Sequence, residues 1–183
     1  MRKVIAALNM TLDGYCDHTY GIADDDIHNY YTALLNNAGT LLYGRITFQL
    51  MEYWPTLLKN PSGNKSHDDF AVAIDQVPKV VFSHTLKNLD WASAQLASGS
   101  FEEEVLALRE QPGKDIYVCS PSLIVQSINL SLADELQLCI HPVIAGKGLL
   151  LFNNISDLHM LKLLGSKTFS SGTMMVSYQI QWP

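Results

Sequence analysis

The sequence predicts an α/β fold in a single domain spanning residues 1–183. Short apolar runs of strand length alternate along the chain with longer segments whose apolar residues recur at helical spacing. Hydrophobic residues make up 48% of the chain and charged residues 16%, which is enough apolar material for a sizeable core. The final segment, from Thr173 to Trp182, alternates apolar with polar residues, as a half-buried antiparallel strand does.

Composition restricts the function classes. The formal net charge is −6 and there is no basic stripe, so neither nucleic acid nor an anionic membrane is expected as a partner. Cys16, Cys119 and Cys139 lack the spacing of a disulfide framework or a zinc site, so we predict no metal and a reduced, cytoplasmic protein. The first apolar run stops at Asn9, too early for a signal peptide, and no stretch reaches the length of a membrane helix.

The first strand is predicted over Lys3 to Leu8, and the turn residues Asp13 and Gly14 follow it. Open α/β sheets place their ligands where strands end, so Asp13 either contacts a substrate or only stabilises the turn. A helix then begins at Asp24 to Asp26, which suit its N-cap and first turn; the alternative is that one of these carboxylates faces a pocket. Gly39 is predicted as the C′ residue that ends this helix.

The segment 41–48 reads as a buried strand, a turn at Gly44 and the start of a helix near Thr47. Unpaired N–H groups at a helix start favour an anion, and Arg45 adds a guanidinium suited to phosphate. This pattern indicates either a phosphate site for a nucleotide cofactor or an ordinary strand-turn-helix with a surface arginine. Pro55 is expected to close the helix.

The middle of the chain continues the alternation. A helix is predicted from Ser66 to Ile74, and the strand Lys79 to Phe82 ends at Ser83 and His84, where His84 either contacts a cofactor or is a solvated loop residue. Another strand is predicted over Trp91 to Ala94. A helix follows Ser100, whose spacing to a glutamate three residues later matches a capping box.

The last third supplies a second strand-to-helix turn. A strand over Asp115 to Cys119 leads to Ser120 and Pro121, which suit an N-cap and a first helical position. Leu149 to Phe152 are expected to be buried. Further strands are predicted at 137–141, 159–164 and 173–182.

Five motifs occur in an order that identifies a resemblance: Thr11-Leu12-Asp13-Gly14, Leu42 to Phe48, Val80 to Ser83, Leu132 to Leu136, and Pro142 to Gly148 with Phe152. The chain resembles the dihydrofolate reductase-like superfamily, and within it the C-terminal reductase domain of bifunctional riboflavin-biosynthesis proteins. The resemblance covers nearly the whole chain. It implies a mostly parallel sheet of about eight or nine strands with flanking helices, an antiparallel C-terminal strand, and NADPH as hydride donor.

The resemblance also implies roles for individual residues. The expected cofactor-binding residues are Ala7, Leu12, Gly14, Gly44, Arg45, Thr47, Phe48, Ser83, His84, Cys119, Ser120, Pro121, Ser122 and Leu123. Within this set, the 44–47 turn matches the phosphate-holding stretch, and the 83–84 turn matches the strand end that faces the adenosine 2′-phosphate. The family often has a basic residue where His84 stands, and an imidazole makes that charge dependent on pH.

Two departures from the family pattern concern the site. Cys119-Ser120-Pro121 replaces a usual Gly-Gly pair, so either a phosphate contact is lost or the serines and the helix start replace it. Dihydrofolate reductases also carry a catalytic carboxylate on the first helix, and none aligns clearly here. Asp13 is the first candidate for a substrate hydrogen bond or proton relay. Glu135 is the second, and it reads equally well as a surface carboxylate at a strand start.

The hypothesis is an NADPH-dependent reductase that transfers a hydride to a small heterocycle, either a pterin or a pyrimidine intermediate of riboflavin biosynthesis such as 5-amino-6-(5-phosphoribosylamino)uracil. The alternative is a nucleotide-binding or regulatory protein on the same fold with reduced turnover; a structural domain without ligand ranks last. The apolar strand 173–182 is expected at a sheet edge, which predicts a homodimer, unless another strand of the chain covers it.

Overall fold

The computed structural model describes residues 1–22 and 24–182, in which eight strands form one sheet. The strands are β1 (Val4–Thr11), β2 (Thr40–Gly44), β3 (Lys79–Phe82), β4 (Ala94–Leu96), β5 (Ile116–Val118), β6 (Glu135–His141), β7 (Met160–Thr168) and β8 (Met174–Gln181). Their order is β4-β3-β2-β5-β1-β6-β8-β7. Pairs β1–β6, β2–β3 and β3–β4 are parallel, whereas β6–β8 and β7–β8 are antiparallel. The predicted fold class is confirmed.

The helices are α1 (Asp25–Leu35), α2 (Arg45–Met51), α3 (Trp54–Lys59), α4 (Lys65–Gln76), α5 (Phe101–Glu110) and α6 (Pro121–Asn129), with a 3₁₀ turn at His18–Tyr20. The contacts divide the chain into two compact units. The first unit comprises Met1–Arg2 and Asp24–Tyr117. The second comprises the described residues of 3–22 and 118–182.

Local capping signals are confirmed in the first unit. The Asp24 carboxylate accepts a hydrogen bond from the Asp26 N–H at 2.7 Å and caps α1. Ser100 and Glu103 form the predicted capping box at the start of α5. Pro55 does not close the preceding helix: α2 ends at Met51, and Pro55 lies in the first turn of α3, where its missing N–H is not needed. The strand predicted at 91–94 is displaced to Ala94–Leu96.

Gly39 is not the C′ residue of α1, whose C-cap is Asn36. A Cβ at Gly39 would overlap the Lys114 carbonyl and lie 2.7 Å from Nη2 of the buried Arg2. The Arg2 guanidinium donates to the Lys114 and Leu108 carbonyls and to Thr40 Oγ1. Gly39 is therefore required for the close approach of this hydrogen-bonded arginine.

Lys79 is the most unusual core residue of the first unit, with 1% of its surface exposed. Its Nζ donates to the carbonyls of Ile74 (2.5 Å) and Val77 (2.7 Å) and to Ser93 Oγ (2.8 Å), and it lies 4.0 Å from the centre of the Trp91 ring. Burial lowers the pKa of Lys79 from 10.5 to about 8. The ammonium group thus ties the C-terminal end of α4 to β3.

In the second unit, α6 packs beside β1, and β8 lies between β6 and β7. The expectation that the 173–182 strand forms the sheet edge is therefore wrong, because β7 pairs with it along its length. The expected burial of 149–152 is also wrong in most positions: Leu151 is buried at 1% exposure, whereas Leu149, Leu150 and Phe152 are exposed.

Among the described residues, no helix combines the length and hydrophobicity needed to cross a membrane. In the same part of the chain, no group of three His, Cys, Asp or Glu side chains is arranged to hold a metal ion.

Candidate cofactor and substrate site

In the first unit, the structure brings the two predicted phosphate-binding turns together. Strands β2 and β3 are parallel, and Gly44 pairs with Phe82 at their carboxyl ends. Helix α2 begins immediately at Arg45, with Gly44 as its N-cap in an extended conformation. Ser83 follows Phe82 directly, so the 44–47 and 83–84 turns leave adjacent strands at the same edge of the sheet.

The polar groups of these turns have defined partners. Arg45 is exposed, and its Nη1 donates to Gln49 Oε1 at 2.9 Å, one helical turn further along α2. The Ser83 hydroxyl accepts from the N–H groups of Thr85 (3.1 Å) and Leu86 (3.0 Å), which fixes the turn that carries the exposed His84. Arg45 and the hydrogen-bonded Ser83 turn thus follow the ends of two neighbouring strands.

Phe48, one of the predicted cofactor-binding residues, is buried at 1% exposure, and its ring lies 6.1 Å from that of Trp91. Its side chain therefore belongs to the core beneath α2 and is not presented to a ligand. Thr47 is half-buried on the same helix.

In the second unit, Asp13 binds a neighbouring loop. Its carboxylate accepts from Thr11 Oγ1 (2.6 Å) and from the N–H groups of Ala145 (3.0 Å) and Gly146 (2.7 Å). These bonds, that from Thr11 first, lower the pKa of Asp13 from 3.8 to about 2. A carboxyl group with this pKa is ionised at neutral pH, so the proton-relay role expected of Asp13 does not fit. A role as a hydrogen-bond acceptor stays a prediction.

Asp17 makes a second contact of this kind, which the sequence analysis missed. Its carboxylate accepts from the Leu149 N–H at 2.7 Å. The backbone adds bonds from Leu12 N–H to Val143, from Cys16 N–H to Leu149 and from Leu151 N–H to the Gly14 carbonyl. We call this arrangement the two-carboxylate clasp; it joins segment 11–17 to segment 143–151. No spacing motif links Asp17 to Leu149, because they are far apart in the sequence.

Glu135 cannot share a substrate with Asp13. Glu135 begins β6 and pairs with Ile5 at the amino end of β1, whereas Asp13 follows the carboxyl end, where Thr11 pairs with His141. Six residue steps along the strands separate these two pairs, about 20 Å at the rise of a β-strand. Glu135 is also buried at 8% exposure and accepts a hydrogen bond from Lys3 Nζ at 2.6 Å. The assignment of Glu135 as a catalytic residue is therefore wrong, and its role is an ion pair at the opposite sheet edge.

The remaining predicted residues of the second unit lie around β1 and α6. Ser120 is the N-cap of α6 and Pro121 its first residue, as predicted, but no side-chain capping bond forms. Ser120 and Leu123 are buried and Ser122 is exposed; burial raises the pKa of the Cys119 thiol to about 12. On the β1 side, Ala7 is buried, while Leu12 is 64% exposed and Gly14 turns the chain at φ +89°.

His141 is a second residue that sequence analysis did not single out. It ends β6 at 3% exposure, and its Nδ1 accepts from the Ile22 N–H at 3.1 Å. Its Nε2 lies 3.4 Å from Asn9 Oδ1 on the exposed end of β1. Burial lowers the pKa of His141, so the neutral ring with its proton on Nε2 fits these contacts.

Comparison with known protein families and known proteins shows which family this chain belongs to. The model of the RibD C-terminal domain matches residues 2–175 of the chain. The chain belongs to the RibD C-terminal domain family. This confirms the resemblance drawn from the five motifs and places the chain in a reductase family of riboflavin biosynthesis. The chain is also 35% identical over 183 residues to the uncharacterized protein YyaP of Bacillus subtilis (strain 168), covering 97% of this chain and 94% of YyaP.

Solved structures share the fold of this RibD C-terminal domain. A putative riboflavin biosynthesis protein from Shewanella sp. PV-4 superimposes with a TM-score of 0.72 at 18% identity, covering 98% of this chain and 99% of that one. A pyrimidine reductase-like protein from Corynebacterium diphtheriae gives a TM-score of 0.69 at 15% identity, with 100% and 93% coverage. A deaminase/5-amino-6-(5-phosphoribosylamino)uracil reductase from Thermotoga maritima gives 0.66 at 22% identity, with 98% and 57% coverage.

Proposed function

We propose that this RibD C-terminal domain is an NADPH-dependent reductase that transfers a hydride to a pyrimidine intermediate of riboflavin biosynthesis of the 5-amino-6-(5-phosphoribosylamino)uracil type. The main support for the proposal is that, in a chain of this family, Gly44 at the end of β2 pairs with Phe82 at the end of β3. That register sets Arg45 beside the turn at Ser83 and His84 at the carboxyl ends of two parallel strands, where α/β proteins bind ligands.

The residues of the first unit suit the phosphates of a dinucleotide. Arg45 is exposed and carries a permanent charge in a planar fork that matches phosphate oxygens. Gln49 accepts one hydrogen bond from Nη1 of Arg45, and this bond orients the guanidinium before a ligand binds. His84 stands on a turn fixed by Ser83, and its exposed ring offers a hydrogen-bonding group for the 2′-phosphate that distinguishes NADPH from NADH.

The residues of the second unit suit substrate orientation. NADPH would supply the hydride, and hydride transfer depends mainly on holding donor and acceptor in register. The ionised Asp13 carboxylate is held by three donors and accepts a hydrogen bond from a substrate N–H or O–H without giving up a proton. Leu12, which is 64% exposed beside it, offers an apolar contact for a heterocyclic ring.

The alternative is a nucleotide-binding or regulatory protein with reduced turnover. It is favoured by one observation: Pro121 occupies the first position of α6 and removes an N–H that would otherwise face a phosphate. The two functions predict the same nucleotide binding and differ in turnover. For either one, Cys16, Cys119 and Cys139 form no disulfide, which fits a reducing compartment, and we propose that the protein is cytoplasmic.

Steady-state turnover tests the proposal. Purified protein is mixed with NADPH and 5-amino-6-(5-phosphoribosylamino)uracil, and NADPH oxidation is followed by its absorbance. We expect turnover, with an Arg45→Ala variant raising the KM for NADPH about 10–100-fold because a charge-assisted contact is lost. The matched control is Lys59→Ala, which removes an exposed cation from α3 and is expected to change nothing. Nucleotide binding without oxidation of NADPH by this substrate or by a dihydropterin refutes the reductase and favours the alternative.

A further inference from the structure

Asn9 is a polar, exposed residue in a strand that is otherwise covered. β1 is the fifth of the eight strands in the sheet, and of its residues Asn9 alone is exposed to solvent. Interior strands of an α/β sheet are ordinarily covered on both faces. Exposure near the carboxyl end of such a strand therefore marks an opening above the sheet, at the position where α/β proteins bind ligands.

The Asp13 carboxylate is held on the same face of the sheet as Asn9. Side chains alternate along a strand, so Asn9 and Thr11 share one face, and their positions are about 7 Å apart at the strand rise. Thr11 Oγ1 donates to Asp13 Oδ1 at 2.6 Å, which keeps the carboxylate next to Thr11. One face of β1 thus carries an amide and, a short distance further along, an ionised carboxylate.

His141 lies on this face too, because it pairs with Thr11 in the parallel register of β1 and β6. Its Nδ1 accepts from the Ile22 N–H at 3.1 Å and lies 3.4 Å from Thr173 Oγ1. A backbone N–H can only donate, so Nδ1 carries no proton in this arrangement. The neutral ring therefore carries its proton on Nε2.

The proton on Nε2 decides which way the Asn9 amide faces. Nε2 lies 3.4 Å from Asn9 Oδ1, and an N–H donor pairs with the amide oxygen and not with the amide NH₂ group. The oxygen is thus held towards His141, and the NH₂ group lies on the other side of the amide. Asn9 therefore presents a hydrogen-bond donor at the exposed end of β1.

We propose that the NH₂ group of Asn9 donates a hydrogen bond to a ring carbonyl of the pyrimidine substrate, and that His141 is the positioning residue that holds the amide in this orientation. The contact rests on the proposed reductase function and specifies which ring group the protein recognises. A 2,4-dioxopyrimidine carries a carbonyl next to a ring N–H, which suits the Asn9 donor and the Asp13 acceptor. A 2,4-diaminopyrimidine places an amino group in front of Asn9, so that two donors face each other.

The test is equilibrium binding of two ring probes to the full chain, followed by NMR titration up to about 10 mM. The probe 5,6-diaminouracil carries carbonyls at ring positions 2 and 4, and 2,4,5,6-tetraaminopyrimidine carries amino groups there. The wild-type protein is expected to bind the first probe at least ~10-fold more tightly, because the second leaves the Asn9 donor unpaired. Asn9→Asp exchanges the donor for an acceptor at nearly equal size and is expected to reverse the preference. Asn153→Asp, the same change at another exposed asparagine, is the matched control and is expected to leave it unchanged.

His141→Leu tests the positioning role. It leaves Asn9 in place but removes the Nε2 donor, so the amide can turn and present either end. The preference between the two probes is then expected to fall below ~3-fold, and His141→Gln, whose own amide can donate to Asn9, is expected to restore it. A merely structural role of His141 would weaken the binding of both probes equally and keep their ratio. Circular dichroism verifies that each variant is folded.

Four results overturn the proposal: wild-type protein that binds neither probe, wild-type protein that binds both equally, an unchanged preference in Asn9→Asp, and an unchanged preference in His141→Leu. The titrations contain no nucleotide, so their outcome is separate from turnover. If NADPH is not oxidised but the probe preference is found, the reductase is refuted and Asn9 remains a ring-binding residue. If NADPH is oxidised but the preference is absent, the role of Asn9 alone is refuted.

Discussion

The two-carboxylate clasp gives the most specific prediction for the candidate site, through two glycines of the same loop. Gly146 (φ +70°) and Gly148 (φ +122°) both have backbone conformations that favour glycine. A Cβ at Gly146 meets nothing within 4 Å, whereas a Cβ at Gly148 would overlap the Asp17 carboxylate and lie 3.3 Å from the Tyr20 ring. Gly146→Ala and Gly148→Ala therefore both strain the backbone, and only Gly148→Ala displaces Asp17.

The magnitudes follow from these contacts. Gly146→Ala is expected to destabilise the fold by about 1–2 kcal/mol, the cost of a left-handed conformation for an L-residue. Gly148→Ala also breaks the bond between Asp17 and the Leu149 N–H, and it forces alanine into a conformation that almost only glycine adopts. We expect it to destabilise the fold by about 3–4 kcal/mol in total. The difference between the two variants, about 2 kcal/mol, combines the loss of the Asp17 bond with the greater backbone strain at Gly148.

Urea unfolding gives the two stabilities, and hydrogen exchange of the Leu149 amide, followed by NMR, reports the clasp directly. In Gly148→Ala this amide is expected to exchange at least ~10-fold faster than in Gly146→Ala. Equal stabilities and equal exchange rates for the two variants would show that Asp17 does not hold Leu149, and the clasp would have to be abandoned.

Three further predictions concern the core and the caps. The pKa of Lys79 is about 8 in the folded protein and 10.5 in the unfolded chain, so the unfolded chain binds more protons between these two pH values. In urea titrations across that window, the free energy of unfolding, compared with that of Lys79→Met, should rise with pH by up to about 1.4 kcal/mol per pH unit. Burial lowers the pKa of His141, so stability should fall as the pH drops below 6.5, and His141→Gln should flatten this fall in thermal melts. Ser100→Ala should cost about 1 kcal/mol in urea unfolding, and an unchanged midpoint would contradict the capping box.

The sequence predicted the structure correctly where a feature depends on residues that are close together in the chain. The caps at Asp24 and Ser100 and the strand Lys79–Phe82 follow from a few adjacent residues, and each is found as predicted. The motif order also identified the family, because it sums weak signals over nearly the whole chain.

The predictions for Gly39, Glu135 and the 173–182 strand failed because they depend on contacts between residues far apart in the sequence. Gly39 was assigned to a helix end because its real constraint, the Lys114 carbonyl and Arg2, comes from distant parts of the chain. Glu135 was assigned to the site because the sequence does not reveal which end of β6 faces which end of β1. The predicted edge strand lies inside the sheet for the same reason: strand order is a property of pairing, and composition does not encode it.

The measurement that tests the central claim most directly is calorimetric binding of NADPH, with NADH alongside and with Arg45→Ala and Lys59→Ala as variant and control. The account predicts NADPH binding that Arg45→Ala weakens about 10–100-fold and Lys59→Ala leaves unchanged, with NADH binding more weakly because it lacks the 2′-phosphate. Binding of neither nucleotide would contradict the account, because the turns at Arg45 and Ser83 would then form no cofactor site.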